Sequence, residues 1–266
     1  MVDLNKIQDI IETTAPLDTQ ESWDNSGWQI CTGDGSVSKI LVALEINEAV
    51  VSEAIRQNVQ LIVCHHPLIF GGIKKVDRNN VMGNMIIRLI QHGISVYATH
   101  TPFDKCNGGN NDYMAQLLEL SEIQQIPGDE SGICRMGKLT ELKTVQSVLM
   151  DFAEQTGQDV RSYRLIGNPE QMVGKIGMCT GAGSEFMSLA AAAGCDLYIT
   201  GDVKYHEAQH ALELGITVAD MGHFGSEVIF SPNMARILHH AAGDSVEIVE
   251  SQVNLNPFTV VEQGEV

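Results

Sequence analysis

Leu61-Ile62-Val63-Cys64-His65-His66-Pro67-Leu68 is the stretch whose reading decides the fold. Four apolar residues in succession suit a short strand covered on both faces of a sheet. Pro67 lacks the N–H that a ladder requires, so the strand ends there. In open α/β sheets, ligands gather just beyond the carboxyl ends of the strands. Two imidazoles at such an end serve metal binding better than packing. An ordinary pair of surface or core histidines has the same local sequence, so the rest of the chain must decide.

Working outward, Lys39–Ile46 reads as a strand, and Asn47 as the N-cap of a helix through Asn58. Strand, helix, strand is the unit of a parallel sheet. Further along, Asn80–His92 is helical and Gly93 closes it. Ile94–Ala98 is the next strand, ending in Thr99-His100-Thr101-Pro102-Phe103-Asp104. Asn107–Asn111 is a turn and Asp112–Leu120 a helix. At the N-terminus, Leu4, Ile7, Ile10 and Ile11 have helical spacing, and Pro16 breaks it. Glu21–Trp28 is turn-like, and its tryptophans, Trp23 and Trp28, read as loop packing more readily than as ligand stacking.

From Ser121 to Gly137 the pattern weakens, with Pro127-Gly128 as a boundary. Leu142–Gly157 reads as a helix and Val160–Ile166 as a strand. Arg161 and Arg164 read as surface charges before a phosphate clamp. The earlier order then returns. Lys175–Thr180 is a strand, Ser184 caps a helix over Glu185–Ala193, and Cys195–Ile199 is a strand ending in Thr200-Gly201-Asp202. His206–Leu214 is a helix, and Ile216–Ala219 a strand ending in Asp220-Met221-Gly222-His223-Phe224-Gly225-Ser226-Glu227. A helix is expected from near Ser226, kinked or restarted by Pro232. Val246–Val249 is the last strand. The fold class is therefore α/β: two similar lobes with mixed, largely parallel sheets, whose polar strand ends face a cleft. The lobes are expected at 1–125 and 126–242, the second including a short central segment at 126–174. Residues 243–266 return a strand to the core.

Composition limits the function. The chain has 266 residues, 16 Lys and Arg against 34 Asp and Glu, and a formal charge of −18. Such a balance disfavours nucleic-acid binding, which rests on clustered cations. No apolar run is long enough to span a membrane, and the start lacks the form of a signal peptide. The six cysteines are scattered with no C-x-x-C pair, which argues against a thiolate zinc site or a disulfide scaffold. A cytoplasmic protein is expected.

Two catalytic divalent ions need about five or six protein ligands and a bridging carboxylate. His65 and His66 diverge, so each suits a different ion, and Asp104 could bridge them. His223 and Glu227 share one face if the backbone there is helical. This mixed N/O set suits Zn, Mn, Fe, Co or Ni. Taken singly, Asp104 could equally be a turn residue, Glu227 a first-turn helix acid and His223 a loop histidine.

Three motifs then carry a resemblance: His65-His66-Pro67-Leu68-Ile69-Phe70, Thr99-His100-Thr101-Pro102-Phe103-Asp104 and Gly222-His223-Phe224-Gly225-Ser226-Glu227. Their order and spread over nearly the whole chain resemble the GTP cyclohydrolase 1 type 2 homologue family, the Nif3-like dinuclear-metal proteins. Trp23-Asp24-Asn25-Ser26-Gly27 is similar to that family's N-terminal loop. The resemblance implies a two-metal site between two lobes, a toroidal homohexamer, and His65, His66, Asp104, His223 and Glu227 as ligands. His100 lies outside that set and is the candidate for an acid–base or ligand-orienting role. Asp202, Tyr205 and His206 also sit at or past strand ends. Many bacterial members carry a large central insertion, and the short 126–174 stretch speaks against one here. Pro102-Phe103 departs from the family's smaller, more polar residue and Leu, which alters the pocket wall beside Asp104. The implied function is metal-dependent hydrolysis of a small molecule, either GTP or another nucleotide or phosphoester. The alternative is a metal-binding scaffold or metallochaperone without turnover.

Overall fold

The computed structural model describes residues 1–33 and 35–261. Unbroken aliphatic runs become strands buried on both faces, and the polar segments between them become helices and loops. In chain order the first part contains β1 (Val2–Asp3), α1 (Leu4–Thr14), β2 (Gly27–Ile30), β3 (Ser36–Val37) and β4 (Lys39–Ala43). It continues with α2 (Glu48–Arg56), β5 (Leu61–Cys64), α3 (Val81–Gln91), β6 (Ser95–Ala98) and α4 (Thr101–Lys105). Asn47 caps α2 as expected, its side chain accepting from the Val50 amide, and Asn80 does the same for α3 from Gly83. β4, β5 and β6 are parallel neighbours, and β2 runs antiparallel at the β6 edge.

The middle of the chain contains α5 (Asn110–Leu117), β7 (Ser121–Gln125), β8 (Arg135–Thr144), α6 (Val145–Thr156), β9 (Arg164–Ile166) and β10 (Met172–Ala182). It continues with α7 (Met187–Ala192), β11 (Leu197–Gly201), α8 (Tyr205–Leu214), β12 (Thr217–Asp220) and α9 (His223–Glu227). These strands form one sheet in the order β7-β8-β10-β11-β12-β9. Parallel β10, β11 and β12 are flanked on both sides by antiparallel strands. Period-2 alternation feeds both faces. Leu197 and Ile199 enter one buried cluster with Phe152, and Tyr198 enters another with Val218 and Ala211.

The chain then returns through α10 (Phe230–Ala242) and β13 (Glu247–Glu250), which pairs parallel with β4. The first sheet is thus β13-β4-β5-β6-β2. The α/β class with mixed, largely parallel sheets holds.

The chain divides into two units. One comprises Met1–Gly109 and Phe230–Leu255, and the other Asn110–Ile229 with the chain from Asn256. These limits differ from the sequence boundaries at 125 and 242. Helix α5 packs on β8 and β10, and α10 packs on α1, β4 and β13, so packing assigns α5 to the second sheet and α10 to the first.

Several elements also differ from expectation. Ser121–Gln125 and Arg135–Thr144 are strands where no pattern was visible. β7 is almost wholly exposed, so no apolar alternation marks it. Leu142–Thr144 ends β8, and the helix starts at Val145. Val160–Ser162 is a single 3₁₀ turn before the short β9. Ser184 opens a 3₁₀ turn and does not cap α7. The helix expected near Ser226 begins at His223 and ends at Glu227. A second helix begins at Phe230, with Pro232 in its first turn, where a missing N–H costs nothing.

Candidate metal centre

In the first unit, β5 delivers its two histidines to a fixed place. The His65 and His66 amides both donate to the Leu44 carbonyl, at 3.1 and 3.0 Å. His65 is fully buried, and its ring lies 5.0 Å from that of Phe230. Its Nδ1 is 3.0 Å from the Thr99 carbonyl. A carbonyl only accepts, so Nδ1 carries a proton, and in the neutral ring Nε2 is the nitrogen that can coordinate. That Nε2 faces Asp104 Oδ1 at 3.5 Å. Asp104 reaches this position on α4, the single turn that follows β6. His66 is partly exposed, with Nδ1 3.5 Å from Glu45 Oε2.

His100, between β6 and α4, is held in the same way. Its Nδ1 is 2.9 Å from Asp24 Oδ1. The other Asp24 oxygen accepts from the Thr101 amide, the Thr101 hydroxyl and the Ser26 hydroxyl. Burial pushes the Asp24 pKa up, but donation from His100 and Thr101 outweighs it and holds the carboxyl well below the usual range. Ligand-capable atoms of His65, His66 and His100 all lie within 4.8 Å of one another. Of the residues named from sequence, this unit therefore gathers His65, His66 and Asp104, and it brings His100 among them.

The second unit places His223 and Glu227 on one face of α9. His223 Nε2 is 3.2 Å from Glu227 Oε2. His223 Nδ1 is 2.7 Å from Asp202 Oδ2, just past β11. A carboxylate on Nδ1 fixes the tautomer and raises the basicity of Nε2, the arrangement common behind metal-ligating histidines. Glu227 is buried. Two glycines make the room. A Cβ on Gly181, which has φ +69°, would lie 2.4 Å from Glu227 Oε1 and 3.4 Å from His223 Nε2. A Cβ on Gly201 would lie 2.7 Å from the Gly222 carbonyl oxygen and 2.8 Å from the His223 backbone nitrogen.

The donor chemistry of both sets, imidazole nitrogens beside carboxylates, fits divalent cations. Sequence reasoning missed the roles of Asp24 and Glu45, and it left Asp202 without one. These acids act through histidines distant in the chain, and no local spacing marks them. Tyr205 and His206 lie on α8, with Tyr205 largely exposed.

A family model described as Duf34/NIF3 (NGG1p interacting factor 3) matches residues 2–257. A Clostridium perfringens protein named GTP cyclohydrolase 1 type 2 homolog is 32% identical over 262 residues, covering 97% of this chain and 99% of the relative. A Streptococcus pneumoniae protein of the same name is 35% identical over 258 residues, covering 93% and 95%. The crystal structure of Staphylococcus aureus hypothetical protein SA1388 superposes with a TM-score of 0.89 at 25% identity, covering 98% of this chain and 99% of that one.

Proposed function

The chain belongs to the DUF34/NIF3 family, and on that premise we propose that it binds two divalent ions through His65, His66, Asp104, His223 and Glu227 and hydrolyses a nucleotide or another phosphoester. The observation that supports this most is the histidine tautomers. His65 and His223 each commit Nδ1 to an oxygen and turn Nε2 toward a carboxylate.

Bound ions would supply a hydroxide near neutral pH and offset negative charge on the attacked group. The chain's own part is positional. The Thr99 carbonyl and Asp202 hold two imidazoles in the metal-binding tautomer. Asp24 orients the His100 ring through Nδ1, which leaves Nε2 as the atom to take or return a proton. The family names of its relatives refer to GTP, and we extend a nucleotide substrate to this chain on that ground alone. A cytoplasmic homohexamer belongs to the same reading. No helix among the described residues is long and apolar enough to cross a membrane.

Metal analysis of protein purified without added metal tests the proposal. About two ions per chain are expected. His66→Ala and Glu227→Ala should each empty the whole centre and lower phosphoester turnover at least ~100-fold, with the circular dichroism spectrum unchanged. If each variant loses one ion and keeps the other, the residues serve separate sites. Full metal content with no turnover on a broad phosphoester panel would favour the scaffold.

A further inference from the structure

We propose that Trp23 and Phe70 form a stacking platform that selects a substrate with a planar, π-bearing ring. Trp23 and Phe70 are 55% and 56% exposed. Single exposed apolar side chains are ordinary, but these two are neighbours, with ring centroids 6.1 Å apart. Both also meet His100, at 5.8 and 6.1 Å, each edge-on. His100 in turn lies 5.6 Å from His66. The aromatic pair therefore borders the histidine group directly, within one unit.

The backbones beneath the two rings are pinned. Asn25 Nδ2 donates to the Ile69 carbonyl at 2.6 Å, and the Ile69 amide donates to Gln29 Oε1 at 3.0 Å. Asp24, next to Trp23, is tied to His100, Thr101 and Ser26. Two loops distant in sequence are thus stitched together so that large aromatic faces stay in water. Holding apolar surface there opposes the hydrophobic effect, and a ring stacked on it would recover that cost. Rigid aromatics also lose little entropy on binding a flat partner.

A cavity of about 840 Å³ adjoins the platform, lined by His66, Phe70, Ile73, Lys74, Lys75 and Met82 among others. Its size suits a mononucleotide or similar ligand. Lys74 and Lys75 are balanced on its wall by Glu45 and Asp77, so net charge does little to select a ligand. Discrimination falls to the aromatic corner.

The inference rests on the metal-centre reading for its chemistry, but its test does not. The metal-loaded full chain is titrated with adenosine 5′-monophosphate and, in parallel, with ribose 5-phosphate, following tryptophan emission and calorimetric Kd. Saturable quenching by the nucleotide is expected, with ribose phosphate binding at least ~5-fold more weakly. Trp23→Ala should abolish the quenching, leave Trp28 emission, and raise the nucleotide Kd about 5- to 100-fold, the worth of one stacked base. Trp23→Phe should restore most of that affinity, and Phe70→Ala should weaken it. Equal Kd values for the two phosphates, or an unchanged Kd in Trp23→Ala, overturn the platform. Trp23 emission that follows protein concentration and ignores the nucleotide would assign the surface to a second copy and also overturn it. Quenching by the nucleotide in protein that takes up no metal when offered Mn²⁺ or Zn²⁺ would leave the platform standing and sink the metal centre.

Discussion

A methyl group on Gly181 would meet the Glu227 carboxylate at 2.4 Å, on a backbone that L side chains rarely adopt. Gly181→Ala is therefore expected to cost about 1–2 kcal/mol in urea unfolding from the left-handed φ alone. Metal titration of the same variant should show weaker binding, because Glu227 must move. Wild-type affinity would remove Glu227 from the ligand set. Asp24 supports a pH prediction. Its folded pKa is depressed below the unfolded value of about 3.9. Its contribution to stability is thus full above about pH 4 and is lost as pH falls through the depressed folded value. Asp24→Asn should be clearly less stable than wild type at pH 7, and the gap should close progressively below about pH 4. A gap that stays constant down to pH 3 would mean that the carboxylate charge is not what His100 and Thr101 hold.

At the scale of elements, the strand ends do the positioning. β5 and β6 end side by side in register, Cys64 against Ala98. The residues just beyond them, His65 and His66 after β5 and Thr99 and His100 after β6, therefore emerge together. Within the other unit, α9 presents its i, i+4 pair, His223 and Glu227, on a single helical turn. Helix α2, between β4 and β5, takes its start from one side chain, Asn47. Asn47→Ala should cost about 1 kcal/mol, read as a shifted urea midpoint at constant slope. The helices and central strands of this sheet were visible in the sequence, because aliphatic runs, N-cap asparagines and closing glycines act locally. β7 and β8 were not. β7 lies largely in water, so the sheet ladder places it and no side-chain pattern does.

At the scale of the whole chain, distant segments close each unit. Glu53 is buried on α2 and accepts from the Ser251 hydroxyl at 2.5 Å and the Gln252 amide at 3.1 Å. Glu53→Ala should cost about 2–3 kcal/mol by leaving those donors unsatisfied, and it should loosen β13 in hydrogen exchange. Removal of metal should lower the melting temperature, because ligands that bind only the folded chain stabilise it by mass action. An unchanged melting temperature in chelator would count against a bound metal. The sequence by itself determined the α/β class, the parallel core strands and the placing of His65, His66 and Asp104 at strand ends, since short-range periodicity and a proline stop encode these. Only the tertiary structure decided that α10 and β13 return to the first sheet, and that Asp24 grips His100 and Asp202 grips His223. Those choices depend on contacts between residues from about twenty to about two hundred positions apart, made only once the sheets have brought distant segments together.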